Sequence, residues 1–131
     1  MSRMSREKGK RGERLWRDLV RSVGGFVEAV RAGYKQAAFG GGGADVEDDS
    51  GFWWEVKFVE ALNVRRAYEQ AAAAAPLDKT PAVAHKTSRS IWLVTLAGED
   101  FLRILRRLRE VERLLAEAKG STLGAPSDPT N

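Results

Sequence analysis

Cysteine is absent from the 131 residues, and histidine occurs once, at His85. Without cysteine there is no disulfide framework, no thiolate zinc site and no cysteine nucleophile. A lone histidine excludes a His-rich zinc or iron centre and the usual Ser-His-Asp hydrolysis. Any chemistry therefore rests on carboxylates and lysine, and any metal is bound through oxygen. No apolar run approaches the roughly 18 residues of a membrane span, and the basic N-terminus lacks the apolar core of a signal peptide. A soluble, cytoplasmic protein with no membrane partner is expected. The length suits one domain with a real hydrophobic core, plus tails.

What is present is charge, unevenly placed. The net charge is +4. Within residues 1–21, eight basic side chains (Arg3, Arg6, Lys8, Lys10, Arg11, Arg14, Arg17, Arg21) face three acids (Glu7, Glu13, Asp18). Such a stretch suits phosphate neutralisation, although a solvated basic tail reads the same way. The acids gather instead at Asp45, Glu47, Asp48 and Asp49. A basic surface around an acidic focus suggests a polyanion held over a metal site, against the plainer reading of an acidic turn.

Periodicity predicts a basic flexible arm over residues 1–9 and a helix over about 10–23, with Leu15, Trp16, Leu19, Val20 and Val23 as its stripe. Glu13 lies at the margin of that stripe, where it reaches the interior edge or remains a solvated charge. Residues 26–30 alternate like a first strand, and a glycine-rich loop carrying Lys35 and Gln36 follows. A short strand at 44–47 pairs with a strong one at 52–59 through a turn of Asp48, Asp49, Ser50 and Gly51. Asn63 caps a helix to about residue 75, broken by Pro76. Strands are expected at 81–86 and 90–96, the latter buried on both faces, then a helix over 99–119 and a disordered tail over 120–131.

In the last helix Phe101, Ile104, Leu108, Val111, Leu115 and Ala118 repeat in alternating steps of three and four, a heptad seam widened by Leu102, Leu105 and Leu114. Such a helix packs either on its own sheet or partly on a symmetry mate, giving a homodimer.

The chemistry converges on the strand Phe52-Trp-Trp-Glu-Val-Lys-Phe58. Alternation sends Trp54, Val56 and Phe58 to the core and Trp53, Glu55 and Lys57 to the other face, where Trp53 borders a DNA or a dimer partner. The hairpin brings Asp45 near Glu55. A hard cation such as Mg²⁺ takes oxygen ligands and keeps several waters, so Asp45, Glu55 and the Val56 carbonyl can hold it. Lys57 is then positioned to orient a nucleophile and neutralise developing charge. A structural Glu55–Lys57 ion pair is the other reading.

The order of helix with Glu13, strand, Asp45 strand, Glu55-Val56-Lys57 strand, helix and two strands resembles the PD-(D/E)XK nuclease superfamily over roughly residues 9–105. The resemblance implies an α/β fold, a restriction-endonuclease-like αβββαβ core with a mixed central sheet flanked by helices, here followed by a long C-terminal helix. It makes residues 10–119 one nuclease domain. It implies catalytic roles for Glu13, Asp45, Glu55, Lys57 and Gln70, with Glu13 a further metal-ligand candidate. Ala44 replaces the nominal proline, and Asp48 is the alternative to Asp45. The implied cofactor is Mg²⁺, with Mn²⁺ as a substitute.

Within the superfamily the small size, together with Pro81-Ala-Val-Ala-His-Lys86 and Ser90-Ile-Trp-Leu-Val94, is similar to phage and archaeal Holliday junction resolvases. That similarity implies a homodimer nicking opposing strands of a four-way DNA junction, reading shape and phosphates over base sequence. Lys8, Lys10, Arg11, Arg14, Lys35 and Lys86 are the expected DNA contacts. His85 either touches phosphate or is structural. A flap or single-strand nuclease and a non-catalytic DNA-binding dimer are the alternatives.

Overall fold

The computed structural model describes residues 3–31 and 43–127. Three helices and five strands lie among them, in the order α1 (Arg3–Ser22), β1 (Val30–Arg31), β2 (Val46–Glu47), β3 (Phe52–Phe58), α2 (Val64–Ala74), β4 (Thr80–Lys86), β5 (Leu93–Thr95) and α3 (Gly98–Ser127). The architecture is α/β with one mixed five-stranded sheet. The chain divides into two compact units at Ala97 and Gly98, the second carrying α3. No helix among the described residues is long and apolar enough to cross a membrane.

The strand order is β1-β2-β3-β4-β5. Every neighbouring pair is antiparallel except β3 and β4, which run parallel. That one parallel pair needs a crossover, and α2 supplies it. Asn63 starts α2 by accepting a hydrogen bond from the Arg66 amide at 3.0 Å, which satisfies one of the free amides of the first turn. Pro76 follows two residues after the helix ends.

Successive residues of β3 point to opposite faces, so each face has its own core. On the first, α1 lays Trp16 and Val20 against Val46, Trp54 and Val56. Trp16 meets Trp54 edge-on at 5.0 Å between ring centroids. On the second, Ala67 and Ala71 of α2 let that helix settle on Trp53 and Val83. Gly12 is the point of closest approach between α1 and β3: a Cβ there would stand 2.7 Å from the Cβ of Phe58. Phe58 Cβ is tied to the strand backbone and has little room to yield. Gly12→Val is therefore expected to lower Tm by about 5–15 °C in a circular-dichroism melt, from an overpacking cost of roughly 1–3 kcal/mol. An unchanged Tm would refute the close approach.

Several sequence expectations need correction. Helix α1 starts at Arg3, so residues 3–9 are helical where a flexible arm was expected; Glu7 pairs with Lys10 at 3.8 Å and Lys8 with Glu60 at 3.5 Å. Residues 26–29 form a turn and not a strand. There Gly25 takes a φ of +78°, Ala29 N–H donates to the Phe26 carbonyl, and Arg21 Nε donates to the Ala29 carbonyl at 2.7 Å. Those bonds use main-chain groups that a strand would need. β5 is short and is an edge strand, with Leu93 and Val94 about half exposed, because among the described residues only β4 pairs with it. α3 runs through Gly120 to Ser127, beyond its expected end.

Candidate functional site

The hairpin of β2 and β3 builds the centre of the site. Val46 pairs with Trp54, and one step back along that antiparallel register Asp45 stands opposite Glu55. Asp45 is held twice: its amide donates to the Trp54 carbonyl at 2.9 Å, and its Oδ2 accepts the Val56 N–H at 2.8 Å. Its Oδ1 accepts no hydrogen bond among the described residues. Asp48 serves the turn instead. Its Oδ1 accepts the Ser50 N–H and its Oδ2 the Trp54 Nε1–H, both at 2.8 Å. The two aspartates thus differ in what their oxygens have left to offer.

Glu55 and Lys57 project from the same face of β3, with Lys57 Nζ 3.5 Å from Glu55 Oε1 and both side chains partly buried. Glu13 reaches the group from α1, where its Oε1 accepts from Arg31 Nη1 at 3.0 Å. Burial, first of all, pushes the Asp45 carboxyl up from 3.8 to about 7. The Glu55 charge adds to the rise, the Val56 amide opposes it, Glu13 adds a little more, and Lys57 pulls back. Three acids and one ammonium therefore act on one another here, in surroundings that disfavour the charged form of the innermost acid.

Arg31 belongs to this constellation and sequence reasoning missed it. Its only signal was position, immediately after the apolar Val30 at the end of a run read as a strand. Gln70 is not joined to the group: it is exposed on α2 and makes no hydrogen bond among the described residues. Trp53, expected to border a partner, is 8 % exposed beneath α2. The alternation was right, but the alanine face of α2 covers that end of the strand and leaves only Glu55 and Lys57 clear. Lys35 lies outside the described residues. No three His, Cys, Asp or Glu side chains among the described residues are grouped closely enough to form a metal cage by themselves.

A second feature lies where β3 and β4 end. Lys8 Nζ, Lys86 Nζ and Arg11 Cζ stand 4.7, 5.2 and 5.8 Å from the centroid of the Phe58 ring. The ring's electron-rich face offsets part of their mutual repulsion. Lys8, Arg11 and Arg14 line a groove of about 690 Å³ with Phe58 and Ser88. Glu60 stays ionised there, held below the usual carboxylate range by the Ser88 amide at 2.8 Å and by Lys8. Lys10, paired with Glu7, does not line the groove. His85 pairs with Lys57 in the parallel register, but its Nε2 is 2.9 Å from Thr95 Oγ1 and burial lowers its pKa. It is bonded to β5, and burial disfavours its charged form.

Comparison with protein-family models, curated proteins and solved structures found no match for this chain.

Proposed function

We propose that this chain is a Mg²⁺-dependent endonuclease of the PD-(D/E)XK kind that resolves four-way DNA junctions by paired symmetric nicks. The observation that carries the reading is Asp45: a partly buried carboxyl, opposite Glu55 and near Glu13, raised to about 7, whose Oδ1 accepts no hydrogen bond among the described residues. A partly buried acid crowded by other acids is what a divalent cation would return to its ionised form. The donors suit a hard cation, since all are oxygen. A cation that keeps its waters needs only two carboxylates and a main-chain carbonyl, so the lack of a three-acid cage among the described residues is no obstacle. Asp45, Glu55 and the Val56 carbonyl would hold it, with Glu13 behind them. Bound there, Mg²⁺ supplies charge neutralisation at the scissile phosphate.

The protein's own groups do the rest. Lys57 donates to the attacking water and faces the charge that gathers on phosphorus-bound oxygen. Arg31 holds Glu13 in place. Lys8, Arg11, Arg14 and Lys86 bind the backbone of the DNA arms, a contact that is salt-dependent and indifferent to sequence. The mixed sheet, with β1 to β3 antiparallel and β4 reached through α2, supports the αβββαβ reading.

A second reading, DNA binding without cleavage, draws on the ion pairs that already occupy Glu13 and Glu55. The deciding experiment incubates the pure protein with an end-labelled four-way junction and with linear duplex, with Mg²⁺ or with EDTA. Symmetric nicks in the junction alone, dependent on Mg²⁺, are expected. Binding with no cleavage at any pH from 6 to 9 overturns the enzyme in favour of the second reading.

A further inference from the structure

An acid stands within the basic patch at the ends of β3 and β4. Ser88 N–H donates to Glu60 Oε2 at 2.8 Å, and Lys8 Nζ lies 3.5 Å from the same oxygen. Lys8, Arg11 and Lys86 crowd the Phe58 ring, and Lys8, Arg11 and Ser88 line the groove of about 690 Å³. Glu7, an acid that also lines the groove, turns to Lys10 at 3.8 Å. Glu60 instead puts its negative charge on the cation cluster itself.

That contact is not needed to shape the chain. The turn after β4 closes on itself: Thr87 N–H donates to Ser90 Oγ at 3.0 Å, and Ser90 N–H donates to the Thr87 carbonyl at 3.3 Å. Val59 N–H donates to the Lys86 carbonyl at 3.3 Å and ties the end of β3 to the same turn. The Glu60 side chain is 61 % exposed, so its ion pair is of the weak kind that water and other anions contest. A turn amide and an ammonium aimed at one oxygen are, however, a donor set that proteins use for the phosphates of nucleic acid. A phosphodiester offers both donors what Glu60 offers them, a negatively charged acceptor oxygen.

We propose that the Ser88 amide and the Lys8 ammonium form a subsite for one backbone phosphate, and that Glu60 occupies it until the phosphate takes its place. Glu60 then sets how tightly the groove holds DNA. Binding exchanges one anion for another at Lys8, so this contact adds little net charge neutralisation. DNA is retained only where Arg11, Arg14 and Lys86 engage as well, which favours a duplex arm long enough to reach all of them. The inference rests on DNA binding in the proposed function and deepens it, since neither Glu60 nor Ser88 has a part there.

Glu60→Gln tests this, because the glutamine oxygen still accepts the Ser88 N–H while the charge on Lys8 is released. Binding of an end-labelled four-way junction is measured in EDTA, so that cleavage does not intervene, over about 50 to 300 mM NaCl. At about 100 mM the variant should bind roughly three- to tenfold more tightly than wild type. Its plot of log affinity against log salt should be steeper by about 0.9, the slope of one further phosphate contact. Lys8→Met should cancel most of the gain: in that background Glu60→Gln should change affinity less than about twofold, because the subsite has lost its ammonium. A gain of equal size with and without Lys8 would mean that Glu60 repels DNA from a distance, and overturns the subsite. So does a melting temperature more than about 10 °C below wild type, which makes Glu60 a structural clamp. Wild-type protein that binds no junction at about 50 mM NaCl defeats the DNA reading and this inference with it, whereas a binding wild type that Glu60→Gln fails to improve defeats this inference alone.

Discussion

Asp45→Asn is expected to lower Mg²⁺-dependent cleavage by at least about 10³-fold and, in the same molecule, to stabilise the metal-free fold at neutral pH. On the proposed nuclease reading the first effect would follow from losing a charged ligand to a cation worth several kcal/mol at the transition state, with each 1.4 kcal/mol worth about tenfold. The second follows from linkage. The Asp45 carboxyl titrates at about 7 in the folded chain against 3.8 without the fold. Between those values the native state holds a proton that the unfolded chain has released. Stability from this group therefore falls as pH rises from about 4 to 7, and the whole penalty is present above 7.

The rise from 3.8 to about 7 corresponds to a penalty of up to about 4 kcal/mol. Asparagine cannot ionise, and its side-chain oxygen can still accept the Val56 N–H. The variant should melt several degrees above wild type at pH 8 in EDTA, and about level with it at pH 4.5. Added Mg²⁺ should raise the melting point of wild type at pH 8 and leave the variant unmoved. Thermal melts across pH 4.5–8.5, with and without Mg²⁺, measure all of this. A variant destabilised equally at both pH values would mean that Asp45 is a structural acid whose charge the fold needs.

The centre of the site was legible because its signals were local. Glu55 and Lys57 stand two apart in a strongly apolar run, and only a strand puts such residues on one face. Asn63, the alanines and Pro76 carried the start, packing face and end of α2 in one short segment. The N-terminal turns of α1 were not legible, since residues 3–9 have no apolar period. Contacts far along the chain accompany that helix, with Lys8 lying on Phe58 and against Glu60. Trp53 shows the same limit: alternation told which face it points to, and only tertiary packing told that α2 covers it. Arg31 was invisible for a related reason, because its partner Glu13 lies 18 residues away across the sheet edge.

Lys57→Met separates a working ammonium from a structural ion pair. As a partly exposed pair at 3.5 Å, Lys57 with Glu55 contributes about 0.2–1 kcal/mol to stability. Methionine keeps the unbranched stem, so the variant should fold with a Tm within a few degrees of wild type. If Lys57 orients the water and faces developing charge, the single-turnover cleavage rate should drop roughly 10²–10⁴-fold while junction affinity changes only a few-fold. Losing the ammonium also removes one of the influences that lower the Asp45 pKa. The residual activity should therefore require a higher pH than wild type. Lys57→Arg keeps the charge on a broader, planar head that cannot occupy the same point, and it should hold the pH dependence near wild type while recovering little of the rate. Wild-type cleavage by Lys57→Met would reduce Glu55 and Lys57 to a surface ion pair and leave Asp45 without its proposed co-worker.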